Sequence, residues 1–306
     1  MVNLRELSKY PERFTGGHRL CAGCGAGIVA RQVMISTCDI PVVVTSATGC
    51  LEVSTTIFPY TAWKNSFFHS AFENSAATCS GIEAAYKSLK LQGKIKENIK
   101  FIAFGGDGGT YDIGLQSLSG AMERGHKMLY ICYNNEAYMN TGIQRSGATP
   151  KWAHTTTAPV GKMCHGKREN KKDLTQIMIA HDIPYVAQTY VGNWNDLISK
   201  VQKALSIEGP SFINVLTPCR LGWNYKTDNI MTVSRLAVDT CIWPSFEFEN
   251  NIYKINVIPI KKKPVVEFLR IQGRFKHLFK PENIHILESI QRRVDNKWEL
   301  LKRKAS

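Results

Sequence analysis

Apolar runs and segments of helical period alternate along the chain as far as Cys219. Ile40–Val44, Phe101–Phe104, Met128–Tyr133, Pro184–Val191 and Pro210–Leu216 are short apolar runs of the length a buried strand needs. Between them, residues 27–37, 76–91, 173–181 and 194–205 and the stretch after Gly109 carry the spacing of amphipathic helices. This alternation predicts an α/β fold with a doubly wound, mostly parallel sheet. Residues 145–172 are rich in Gly, Thr, Pro, Lys and His without an apolar period, which predicts a long loop bordering a site. Residues 223–253 show no clear period, and Lys261-Lys262-Lys263-Pro264 punctuates the chain. Pro264–Ile271 and Pro281–Lys304 then read as helices. The expected organisation is a domain of residues 1–240 and a helical, basic C-terminal extension, 241–306, packed on another subunit.

The central stretch carries the first chemistry. The strand ending at Phe104 meets Gly105-Gly106-Asp107-Gly108-Gly109, and the next strand ends at Asn134-Asn135, 26 positions after Gly108. Both loops then lie at the carboxyl ends of parallel strands, where open α/β sheets bind ligands. Glycines let the backbone approach a phosphate, and a helix start behind them favours negative charge. Asp107 and Asn135 are hard oxygen donors suited to Mg²⁺ beside a phosphate. Glycine turns after strands are common, so this pattern alone supports only a generic Mg²⁺-phosphate site. No Gly-x-x-x-x-Gly-Lys-Ser/Thr is present, and no Gly-x-Gly-x-x-Gly precedes an acidic residue, which argues against a P-loop and a dinucleotide fold.

Four cysteines supply the second chemistry. Cys21 and Cys24 form a Cys-x-x-Cys in a glycine-rich turn, and Cys50 and Cys219 each follow a predicted strand end. A zinc ribbon wants a second Cys-x-x-Cys about 15–20 residues on, and none exists. Four thiolates from one turn and two strand ends suit Zn²⁺ or a 4Fe–4S cluster equally on spacing alone. Cys38, Cys79, Cys132 and Cys241 lie in or beside apolar segments and read as small buried hydrophobes, while Cys164 lies in a polar loop.

Gly-Asp-Gly followed by Asn-Asn resembles the diphosphate-binding motif of thiamine diphosphate enzymes. With Tyr111-Asp112-Ile113-Gly114, Tyr138-Met139-Asn140-Thr141-Gly142 and the four cysteines, the chain resembles the β subunit of 2-oxoacid:ferredoxin oxidoreductases of the pyruvate synthase type, to about residue 250. The resemblance implies CoA-dependent oxidative decarboxylation of a 2-oxoacid, pyruvate first, with electrons passed to ferredoxin, or the reverse. It implies thiamine diphosphate at Gly49, Gly106, Asp107, Gly108, Gly109, Asn135, Ala137 and Thr141. Mg²⁺ would be held by Asp107, Asn135 and the Ala137 carbonyl, and a 4Fe–4S cluster by Cys21, Cys24, Cys50 and Cys219. Asn140 would sit beside the thiazolium and substrate. Some relatives carry a Glu two positions after the second cysteine, where this chain has Ala26. The carboxylate that activates the cofactor is then expected from Glu52 or from another subunit. Only one thiamine module is present, so α, γ and δ subunits are expected partners, and the chain alone is expected to be inactive.

Composition narrows the setting. The formal net charge is +14, and residues 251–306 hold fourteen Lys or Arg against five Asp or Glu, a net of +9. A basic face suits an acidic ferredoxin, although Lys-rich helices are often simply solvated. The opening MVNLRELSKYPERF lacks the apolar centre of a secretory signal, and nine cysteines suit a reducing compartment, so a cytoplasmic location is expected. No apolar run is long enough for a membrane span, and no nucleic-acid motif is evident. The competing readings are a non-redox thiamine carboligase or decarboxylase with structural zinc and, more remotely, a basic zinc-binding nucleic-acid protein.

Overall fold

A computed structural model describes residues 3–306. Its centre is an eight-stranded sheet in the order β2-β1-β3-β4-β6-β5-β7-β8. The strands are β1 (Val42–Ala47), β2 (Ser66–Ser70), β3 (Lys100–Gly106), β4 (Leu129–Asn134), β5 (Tyr185–Tyr190), β6 (Ser211–Leu216), β7 (Phe246–Glu249) and β8 (Ile252–Ile255). Pairings from β2 through β5 are parallel, and β7 and β8 are antiparallel. Every residue of β4, β5 and β6 is buried, which is why their sequences are mostly apolar and do not alternate. Helices Gly25–Ser36 and Trp194–Ser206 cover one face. Helices Ser75–Leu91 and Leu115–Glu123 cover the other.

Chain direction across the sheet reverses between β1 and β3: β1 leads outward to β2, whereas β3 leads to β4 on its other side. Such a reversal opens a crevice at the strand carboxyl ends. Ala47 and Gly106 end the two strands there. After Gly106 the chain makes a wide π-type turn over Gly108–Asp112, and regular helix starts only at Leu115. The helix expected directly behind the glycines is displaced by this turn, a kind of irregularity that often marks functional positions.

Two strand regions differ from expectation. β2, Ser-Phe-Phe-His-Ser, is largely exposed because it is a sheet edge. The β7–β8 hairpin falls within the segment expected to be aperiodic. Its Phe-Glu-Phe-Glu alternation and the Asn250-Asn251 turn, with φ of 50° and 61°, are the local signature of a tight hairpin. The hairpin carries the sheet past residue 240. β7 pairs with β5, and Phe268, Phe275, Val294 and Trp298 belong to the same apolar core as the strands. The C-terminal segment is therefore built onto the sheet's own core and is not a separate body.

Glu247 pins this hairpin. Its carboxylate accepts from Tyr185 Oη (2.9 Å) and pairs with Lys254 (3.1 Å) and Lys203 (3.2 Å). Burial pushes its pKa up, but the hydrogen bonds from Tyr185 and Lys254 and the Lys203 ammonium outweigh that and hold it at about 2. Because this lies below the ordinary value of 4.5, the stabilisation is present above pH 4.5 and is lost as pH falls towards 2. Glu247→Gln is expected to lower stability by about 1–2 kcal/mol at neutral pH, after discounting for solvent screening. The gap from the unsubstituted chain should close between pH 4.5 and 2, as thermal melts across that range would register.

Candidate functional site

Three loops meet at the crevice. Gly49 and Cys50 follow β1, Gly106–Gly109 follow β3, and Asn135, Ala137, Asn140 and Thr141 follow β4; all line one cleft. Close approach makes two of the glycines necessary. A Cβ on Gly108 would lie 2.4 Å from the Tyr138 ring, and one on Gly49 would lie 2.7 Å from Tyr133 Oη.

Asp107 is 1% exposed at the end of β3. Its Oδ1 accepts from the Asn135 backbone N–H (3.2 Å) and its Oδ2 from Ser146 Oγ (2.5 Å). Burial nevertheless pushes its pKa up to about 7, because two hydrogen bonds do not replace the lost hydration of a carboxylate. The outer amide atom of Asn135 facing it lies 2.9 Å from Asp107 Oδ1 and 2.8 Å from the Ala137 carbonyl oxygen. Two arrangements satisfy these distances. Either the amide NH₂ donates to both oxygens, or three oxygens converge on a cation. Adjacent ligands of octahedral Mg²⁺, at about 2.1 Å from the metal, are about 3 Å apart. The donor set therefore fits Mg²⁺ in chemistry and spacing, and a cation there would neutralise the buried Asp107.

The loop carrying these donors is held from behind. Glu136 adopts φ of 65°, a left-handed conformation that disfavours a side chain by roughly 1–2 kcal/mol. Its backbone N–H donates to Asn134 Oδ1 (3.0 Å), and its carbonyl accepts from Thr149 Oγ1 (2.6 Å). Its buried carboxylate pairs with Arg274 (2.6 Å) and Lys171 (3.1 Å). Burial opposes ionisation there, but Lys171 and Arg274 outweigh it and hold the carboxyl below its usual range.

The four cysteines lie in one neighbourhood, and Cys50 lines the same cleft. Cys24 and Cys219 are the residues capping the starts of helices Gly25–Ser36 and Arg220–Trp223, and Cys50 opens helix Cys50–Thr55. Backbone N–H groups of Ala26 and Gly27 beside Cys24, and of Leu221 and Gly222 beside Cys219, favour the thiolate forms. Burial raises all three thiols, Cys50 to about 12, and charge on neighbouring cysteines, Cys21 among them, raises them further. Among the described residues no three His, Cys, Asp or Glu side chains converge tightly enough for one metal ion. Four cysteine thiols are a donor set that would fit a 4Fe–4S cluster or a zinc ion. The two chemistries touch where Cys50 Sγ lies 3.7 Å from Asn140 Oδ1.

Glu52 is not brought to the cleft. Its Oε1 accepts from Thr56 Oγ1 (3.0 Å) and lies 3.4 Å from Nδ1 of the exposed His69. Tyr133 reads in sequence as one more apolar strand residue, yet its buried hydroxyl has no partner among the described residues and lines the cleft between Gly49 and Gly106. Its position immediately before Asn134-Asn135 was the available signal, masked by the apolar run that contains it. Ser146, Trp223 and Arg274 lie too far along the chain from the motifs to be linked to them without the fold.

Residues 47–215 match the family described as thiamine pyrophosphate enzyme, C-terminal TPP binding domain. Pyruvate synthase subunit PorB of Thermotoga maritima is 51% identical, covering 98% of this chain and 95% of its own length. The PorB of Methanocaldococcus jannaschii is 53% identical over 95% and 96% of the two chains. The chain belongs to the β-subunit family of 2-oxoacid:ferredoxin oxidoreductases. Members differ in substrate: ketoisovalerate oxidoreductase subunit VorB of Pyrococcus abyssi is 46% identical over 99% of this chain and 97% of its own. The 2-oxoglutarate:ferredoxin oxidoreductase of Magnetococcus marinus shares the fold, with TM-score 0.60 over 90% of this chain and 96% of that one at 18% identity. The fold is thus the α/β thiamine diphosphate-binding fold, and the chain is an oxidoreductase subunit. Among the described residues no helix is long and apolar enough to cross a membrane.

The cleft's close packing is testable without substrate. Gly108→Ala is expected to destabilise the chain by about 1–3 kcal/mol by driving the Tyr138 ring aside. It should also narrow the cleft and weaken thiamine diphosphate binding. Thermal melts and calorimetric titration of the assembled enzyme measure the two effects.

Proposed function

We propose that this chain is the subunit carrying both thiamine diphosphate and a 4Fe–4S cluster in a CoA-dependent pyruvate:ferredoxin oxidoreductase, working in either direction. The observation that carries this reading is the contact of Cys50 with Asn140, which joins the cysteine set to the diphosphate cleft. Asp107, Asn135 and the Ala137 carbonyl would hold Mg²⁺. Gly49, Gly106, Gly108, Gly109 and Thr141 would border the diphosphate. Cys21, Cys24, Cys50 and Cys219 would hold the cluster. When bound, thiamine diphosphate supplies the electron sink for decarboxylation of the 2-oxoacid. Asn140, at the junction, would orient substrate by its amide, and the buried walls from Gly106 to Gly109 would keep water from the reacting centre.

The chain holds half of such a site. With Glu52 engaged by Thr56 and turned toward His69, the carboxylate that activates the cofactor is assigned to a partner subunit. Phe58 and Tyr60, in the loop between the Cys50 helix and the β2 edge, are 93% and 75% exposed, which supports a protein partner on that side. The α, γ and δ subunits of one complex, coenzyme A as co-substrate and ferredoxin as electron acceptor complete the reading, in the cytoplasm. The likeness to VorB favours a branched 2-oxoacid as the second substrate reading.

Anaerobically purified complex is expected to contain iron and acid-labile sulfide assignable to this chain; one equivalent of zinc without sulfide would replace the redox reading with a carboligase. Asp107→Ala should abolish thiamine diphosphate retention while leaving iron and sulfide in place. Ferredoxin reduction across a panel of 2-oxoacids would separate pyruvate from branched substrates.

A further inference from the structure

The loop that faces Asp107 is anchored by a residue far from it in sequence. In the three residues Asn135-Glu136-Ala137, the amide of the first and the carbonyl of the last face Asp107 and each other, and the middle one, at φ of 65°, directs its carboxylate to Arg274 and Lys171. That carboxylate meets Arg274 Nη2 at 2.6 Å, with both side chains at most 4% exposed. Arg274 belongs to the short helical segment Gly273–Phe279, built onto the core by Phe275 and Leu278. Its Nε donates to Oε1 of the buried Gln272 (2.9 Å), and its guanidinium stacks 3.8 Å from the centre of the Trp223 ring. Trp223 closes the circuit, because its Nε1 donates to the Asn135 carbonyl at 2.6 Å. Trp223 also ends the short helix that starts after Cys219, and its backbone N–H donates to the Cys219 carbonyl (2.9 Å).

We propose that Arg274 is a positioning residue that, through Glu136 and Trp223, holds the Asn135–Ala137 loop in the conformation that faces Asp107 and couples it to the loop beginning at Cys219. The inference rests on the assignment of that loop to Mg²⁺ and thiamine diphosphate. Geometry gives each group a separate task. The ion pair retains the Glu136 carboxylate beside Arg274. The indole fixes the Asn135 carbonyl, and the planar guanidinium serves both at once. A lysine has neither the fork nor the flat face for this. The half-exposed character of Lys171 makes it the weaker of the two partners of Glu136: it is 24% exposed, against 3% for Arg274.

The test uses the assembled complex and measures the Mg²⁺ concentration that half-saturates thiamine diphosphate binding, alongside melting temperature and iron content. Glu136→Gln and Arg274→Lys are each expected to raise that Mg²⁺ concentration at least tenfold. The double variant should be no weaker than the worse single, since both act through one contact. Unchanged Mg²⁺ dependence in both singles, with only the melting temperature lowered, would overturn the proposal and leave a purely structural ion pair. If the Arg274 variant fails to assemble, Glu136→Gln decides by itself. Asp107→Ala in the same assay separates the two levels. Normal cofactor binding in that variant would refute the site assignment itself, whereas its loss with Glu136→Gln unaffected would refute only the role given to Arg274.

Discussion

The parallel registration of β1, β3 and β4 is the constraint on which the site depends. Parallel pairing places Ala47, Gly106 and Asn134 at one edge of the sheet, so loops distant in sequence open into a single crevice. The strands are buried on both faces, leaving no room for slippage that would move their ends apart. Into this edge the chain puts a fully buried carboxylate, Asp107, whose two hydrogen bonds leave its ionised form under-compensated. The Ala137 carbonyl and the Asn135 amide face it across the same gap. In the proposed reading, Mg²⁺ held by these residues beside a diphosphate would supply the missing positive charge, and the glycines between β3 and the wide turn would let that diphosphate approach.

The cysteines follow a related logic. Cys24, Cys50 and Cys219 each stand at the start of a helix, where free backbone N–H groups face sulfur, and yet burial and mutual repulsion hold their protons on. Thiolate form at such a place needs a strongly positive partner shared among them. In the proposed reading an iron–sulfur core would supply it, and the Cys50–Asn140 contact would set that core against the cleft. A short route for electrons would then follow from the same packing.

Local patterns along the chain contain much of this arrangement. The apolar runs mark β1, β3, β4, β5 and β6 because strands buried on both faces need no alternation. Gly-Asp-Gly and Asn-Asn stand out because close backbone approach and oxygen donors require particular residue types at strand ends. β2 was obscure because an exposed edge strand places no demand on its side chains beyond pairing. The β7–β8 hairpin was legible in its alternation and Asn-Asn turn but lay hidden within a segment of mixed composition.

Other features depend on contacts between distant parts of the chain. Glu52 had the right chemistry and a suggestive position, but the helix after Cys50 turns its carboxylate to Thr56 and His69. Tyr133 looked like one more apolar strand residue, and only the approach of Gly49 from another strand shows its hydroxyl lining the cleft. Arg274 lay in a basic segment indistinguishable from a solvated tail, until core packing brought it over Trp223 and onto Glu136. The amino-acid sequence by itself determined the strand and helix alternation, the diphosphate motif and the cysteine set, because each is written in residues close together or of rare chemistry. Tertiary structure alone decided which carboxylates face the cleft and what holds its loops, because a buried charge acquires its role from the partners that folding places beside it.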